Sequence, residues 1–141
     1  MKASPKGFSL IELLVVIAIV GTLAAVALTS YDAYVIRAHR SSAQAFMMQV
    51  ANKQSQYILD ARNYAVGSNA LNSTNLNLTV PTDVLPFYTV NVENAAGGTS
   101  VATPPSFRVR ATPIAGSKQA NDGELILTST GAKTKGGVSG W

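Results

Sequence analysis

The chain opens on an apolar run and then changes period twice. Phe8 to Leu28 reads FSLIELLVVIAIVGTLAAVAL, 21 residues with a single charge, Glu12. As a helix this run would span about 32 Å at 1.5 Å per residue, enough to cross a hydrocarbon core of about 30 Å. From Tyr31 the pattern stays helical but turns amphipathic. Ile36, Ala43, Val50, Tyr57 and Tyr64 recur every seven residues with Met47 and Ala61 between them, while Arg40, Ser41, Gln44, Lys53, Gln56 and Asp60 lie largely elsewhere. Together these stretches predict one long helix, roughly Phe8 to Asn63, about 84 Å by the helix rise.

From Asn63 the residues favour turns: Gly67-Ser68-Asn69, Asn72-Ser73-Thr74-Asn75 and Pro81. Three alternating runs follow. Phe87 to Glu93 places Tyr88, Val90 and Val92 on one face, Phe107 to Ala111 places Phe107, Val109 and Ala111 inward, and Glu124 to Thr128 offers Leu125 and Leu127. The connections at 95–105 and 115–123 are rich in Gly, Pro, Asn and Ser. The predicted fold class is therefore α+β, a long helix packed on a small antiparallel sheet with one apolar face. Residues 131–141 hold four glycines and end in Trp141, expected to dock as a hydrophobic latch.

Composition sharpens this picture at few points. Hydrophobic residues make up 47% and charged residues 13% of the 141, which excludes a disordered polar chain and a highly charged coiled coil. The absence of cysteine excludes a disulfide scaffold, a thiolate metal site and a cysteine nucleophile. The formal charge is +4, but without Lys2 and Lys6 nine basic side chains stand against seven acidic ones, a balance of +2. Bulk charge is thus a weak argument for nucleic acid.

The first thirty residues admit three readings. A cleaved secretory signal finds a loose small-residue site at Ala25-Val26-Ala27, but the apolar run before it is too long. A plain membrane anchor explains the length and leaves Glu12 unexplained, since a charged carboxylate at mid-membrane costs roughly 2.5 kcal/mol or more. Nothing in the intact segment pairs with Glu12. A cut just before Phe8 would create an α-amino cation four residues away, or on a neighbouring copy. Lys2 and Lys6 ahead of the run place the N-terminus in the cytoplasm by the positive-inside bias; Arg37 and Arg40 beyond it weigh the other way.

Lys6-Gly7-Phe8-Ser9-Leu10-Ile11-Glu12-Leu13, followed by an apolar helix, closely resembles the prepilin class III signal of type IV pilins and pseudopilins. The resemblance implies a leader at 1–7, cleavage by a prepilin peptidase between Gly7 and Phe8, and N-methylation of Phe8. It implies a transmembrane and filament-core helix at 8–30 and a globular pilin head at 31–141. It further implies that Glu12 meets the N-terminal amine of an adjacent subunit during assembly. Gly21 would serve either close helix packing or local melting. Many such pilins carry a proline late in the helix, where this chain has Thr29 and no enforced kink. The implied life cycle is insertion in the bacterial inner membrane, then passage into an extracellular pilus. Its implied partners are other pilin subunits in a helical filament, the peptidase and the inner-membrane assembly machinery.

The run Gln54 to Ala65 is similar to the helix end of PilE-type minor pilins, the group that includes the ComP DNA-uptake pilin. So are Phe87 to Val90, Phe107 to Pro113, Leu125 to Leu127 with Ser129-Thr130-Gly131, and the closing Gly140-Trp141. Members usually pin the C-terminal region with a disulfide, typically contributing about 2–4 kcal/mol, and this chain has no cysteine for one. The reading is a minor pilin serving pilus biogenesis, adhesion or twitching motility. Its alternatives are a DNA-binding pilin of natural transformation and a major structural pilin.

No catalytic set and no cofactor is indicated. His39, the single histidine, sits among Arg37 and Arg40 and reads as part of a solvated face. Asp122 and Glu124 flank Gly123 without the oxygens a calcium site needs, which argues against a major pseudopilin with an acidic calcium loop. The candidate DNA contacts are Arg108 and Arg110 on the outer face of their strand, with Lys118, Lys133 and Lys135 in nearby loops. The competing reading is that Arg108 and Arg110 pair with Glu93 or Glu124 across the sheet or face water.

Overall fold

The computed structural model describes residues 7–141, except for the side chains at 27–30. Lys2, Lys6 and the Thr29 side chain therefore fall outside the described residues. Helix α1 runs Leu10–Ala61 without a break, 52 residues. It starts two residues later than its periodicity predicts because Ser9 and Glu12 cap it reciprocally. The Glu12 N–H donates to Ser9 Oγ at 3.3 Å, and the Ser9 N–H donates to Glu12 Oε2 at 3.5 Å. It ends where Arg62 takes φ 58°, a left-handed conformation that cannot continue the helix, while its N–H still bonds Ile58 O at 2.9 Å.

By contacts the chain divides into two units, up to Val35 and from Ile36 onward. In the first, every side chain described from Gly7 to Val26 is exposed. Phe8 is 86% accessible and Leu10 82%, and the helix is long and apolar enough to cross a membrane by length and composition.

The second unit contains a five-stranded antiparallel meander in chain order: β1 Tyr88–Glu93, β2 Arg108–Pro113, β3 Leu125–Thr128, β4 Lys133–Lys135 and β5 Val138–Ser139. Val92 lies opposite Val109, Val109 opposite Leu127, and Ala111 opposite Leu125, so these residues share one face. That face closes a core with Ala43, Phe46, Met47 and Val50 of α1 and with Ala65, Ala70, Leu76 and Val84 of the loop.

Several details depart from expectation. The tail, for which the sequence pattern predicts no strand, forms β4 and β5. They are joined by Gly136 and Gly137 at φ 55° and 83°, the paired positive values of a tight hairpin turn that glycine tolerates. Their Lys-Thr-Lys and Val-Ser sequences lack the apolar alternation that marks a buried strand. In the helix, Ala61 is exposed rather than part of the stripe, and the core takes Phe46 instead. Gln54 is wholly buried: its amide accepts from Ala65 N–H at 2.9 Å and donates to Ala65 O, fastening the chain as it leaves the helix. His39 does not sit on a solvated face. Its ring stacks on Phe87 at 3.7 Å between centroids, and Nδ1 lies 3.2 Å from Asp83 O. Trp141 packs against the core, and its indole N–H donates to Ile126 O at 3.4 Å.

Candidate assembly helix and candidate nucleic-acid interface

On the N-terminal segment, residues 7–9 are not helical, so the Gly7–Phe8 bond lies outside α1. Glu12 occupies the first turn of the helix, where a carboxylate is favoured by the free N–H groups and by the Ser9 contacts above. Among the described residues nothing requires glycine at position 21: a Cβ there would meet nothing within 4 Å, and the helix runs through it without a break.

The five candidate basic residues are not brought together. Arg108 and Arg110 project from the outer face of β2. There Arg108 Nε donates to Glu93 Oε2 at 2.9 Å, and Arg110 reaches Glu93 at 3.3 Å and Glu124 at 3.4 Å. Two arginines and two carboxylates thus form a ladder of zero net charge. Lys133 and Lys135 sit opposite Leu127 and Leu125, so their side chains leave β4 on the inward-facing side. Lys135 pairs with Asp122 at 3.1 Å, and the Lys133 ammonium lies 4.6 Å from the centroid of the Trp141 ring. Lys118 is exposed in the β2–β3 connection.

Sequence reasoning missed the densest polar cluster in the chain. Asp122, whose side chain is 4% accessible, receives both Arg40 nitrogens, the Tyr88 hydroxyl at 2.7 Å, the Gln119 amide at 3.2 Å and Lys135. Gln119 also donates to Ile36 O at 3.2 Å. Burial alone would raise the Asp122 carboxyl, but hydrogen bonds from Arg40, Tyr88 and Lys135 outweigh it and hold the group below its ordinary value. Burial, reinforced by Asp122, pushes the Tyr88 phenol up to about 12. In the sequence Asp122 offers itself only as a metal ligand; in the structure it ties helix, sheet and C-terminal hairpin together. Among the described residues no cluster of three or more metal-binding side chains occurs.

Two family profiles match the chain. One, described as "Type IV minor pilin ComP, DNA uptake sequence receptor", covers residues 29–125. The other, the prokaryotic N-terminal methylation motif, covers residues 2–28. Among curated proteins, a fimbrial protein of Neisseria meningitidis serogroup A is 39% identical over 93 residues, 66% of this chain and 52% of the relative. The type IV major fimbrial protein FimA of Dichelobacter nodosus is 39% identical over 62 residues, 44% of this chain and 40% of the relative. The fimbrial protein EcpC of Eikenella corrodens is 56% identical over 43 residues, 30% of this chain and 28% of the relative. The chain thus spans about half or less of the length of these relatives.

Proposed function

The chain belongs to the type IV pilin family, with a ComP-type minor-pilin domain behind an N-terminal methylation motif, and on that premise we propose that it is a minor subunit of a type IV pilus. It is made as a precursor in the inner membrane with its N-terminus in the cytoplasm. Prepilin peptidase cleaves it between Gly7 and Phe8, and Phe8 is methylated. The inner-membrane assembly machinery then packs it among other pilin subunits through Phe8, Glu12 and Gly21. The observation that carries this reading is the uninterrupted exposure of the apolar residues from Phe8 to Val26, a surface that only lipid or other helices can cover. Glu12 sets the register. Once Phe8 carries a free amine, the carboxylate finds its cation on a neighbouring chain.

Mass spectrometry of sheared surface filaments tests the proposal. A methylated Phe8 end at low stoichiometry supports it. The same end as the dominant species makes the chain the major structural pilin, and intact Met1 confined to membranes overturns both.

A second reading, DNA capture during natural transformation, is favoured by the ComP profile over residues 29–125. The outer-face arginines support it poorly, because Glu93 and Glu124 already occupy them.

A further inference from the structure

The apolar run at 8–28 leads into Thr29-Ser30-Tyr31-Asp32-Ala33-Tyr34, and the helical backbone of α1 continues through it. Between Phe8 and Tyr31 the sequence holds no aromatic residue, so rings mark the two ends of the run and are absent from its middle. Tyr31 and Tyr34 are three residues apart and therefore share one face of the helix. Both are exposed, at 64% and 66%. Helix geometry sets their height. With the run filling a hydrocarbon core and Leu28 at its edge, the Tyr31 Cα stands about 4.5 Å beyond that edge and the Tyr34 Cα about 9 Å. The headgroup layer there is about 5–7 Å deep. Side chains on a helix lean towards its N-terminus, which here points into the bilayer, so the Tyr34 ring is carried back to the layer that its Cα overshoots. A ring with a hydroxyl tip suits a boundary that is apolar on one side and wet on the other, whereas leucine would serve a contact between helices as well.

We infer that Tyr31 and Tyr34 seat in the outer headgroup layer of the bilayer and fix the depth of the N-terminal helix before assembly. The inference rests on the membrane-inserted precursor of the proposed function. A helix pinned at one end carries its other end to a set height. Phe8, about 35 Å of helix rise from Tyr31, is thereby held at the opposite edge of the core, with the Gly7–Phe8 bond beside it. Glu12, one turn further in, supplies the opposing pull, because its carboxylate gains by sliding towards cytoplasmic water. The tyrosines resist that slide, since it would draw their hydroxyls into hydrocarbon.

The chain has no cysteine, so a single Ala33→Cys, at an exposed position, can carry a nitroxide on the full-length protein in vesicles of phosphatidylethanolamine and phosphatidylglycerol. Depth is read from collisions with oxygen against those with a water-soluble nickel chelate, and the label is expected at headgroup level. Tyr31→Ala with Tyr34→Ala is expected to draw it about 3 Å, two residues of helix rise, towards the bilayer centre. Tyr31→Trp with Tyr34→Trp is expected to leave it in place. Unchanged depth in the double alanine variant overturns the anchor; if incorporation into filaments falls instead, the rings belong to a contact with a neighbouring subunit. A second label at Ala18→Cys keeps the two readings apart. Found in water, it overturns the membrane-inserted precursor and the anchor with it. Found in hydrocarbon while the Ala33→Cys label lies in bulk water, it overturns the anchor alone.

Discussion

The segment before Ile36 and the unit after it treat apolar side chains in opposite ways. In the first, leucines, isoleucines and valines stand exposed along the helix; in the second, Ala43, Met47, Val50, Val109 and Leu125 are wholly buried. The same helix supplies both. The difference lies in the cover: a sheet with one apolar face lies on residues 43–50, whereas the apolar side chains described at residues 8–26 are exposed. One unit covers its apolar residues from within; the other leaves those that are described exposed.

Substitutions that act on one side and spare the other test this contrast. The largest effect is expected from Glu12→Ala, which should leave cleavage after Gly7 largely intact yet strip the protein from filaments, with the melting of the second unit unchanged. Normal incorporation, scored by immunoblot of sheared pili, would remove Glu12 from the assembly mechanism. Asp122→Ala should destabilise the second unit by about 3–5 kcal/mol, because Arg40, Lys135 and Tyr88 lose a common buried partner. A shift in denaturation midpoint below a third of that would show that solvent replaces the carboxylate. Leu125→Ala should cost about 2–5 kcal/mol by leaving a cavity, whereas Leu14→Ala, at an exposed position, should leave melting unmoved and be felt only in filament yield.

Titration reports on the second unit. Asp122 has a lowered pKa in the folded chain, so its contribution is present above the ordinary carboxylate value near 3.9 and is lost as pH falls below it. Tyr88 is raised to about 12, so its contribution is full below about 10 and fades as pH rises from there. Thermal melts across pH should show both limbs, and Asp122→Asn should flatten the acid one. The smallest effect is expected from Ser9→Ala, about 0.5 kcal/mol, read as faster amide exchange in the first turn of α1. Unchanged exchange there would mean the cap is idle.

The cluster around Asp122 is the clearest case of a contact built from distant residues. Arg40 and Asp122 are 82 positions apart, and Tyr88 and Asp122 are 34 apart. No periodicity or spacing links them, and Asp122 beside Gly123 reads locally as a turn. Trp141 adds to the same closure through Ile126. The S-x-x-E pattern of the helix cap stands in the sequence at Ser9 and Glu12, and the Gly136-Gly137 hairpin is a second local signal, set between strands too short and polar to announce themselves.

By itself the sequence determined the long helix, its change from uniformly apolar to amphipathic, the three apolar strands with their inward faces, and the N-terminal signal. These are local or periodic properties, set by side-chain type at fixed spacing along one element. Only the tertiary structure decided which charges meet. It divided the basic residues between two faces of the sheet, cancelled Arg108 and Arg110 with Glu93 and Glu124, stacked His39 on Phe87 and closed four side chains around Asp122. Such pairings depend on strand register and on contacts between residues far apart in the chain, and composition carries no record of either.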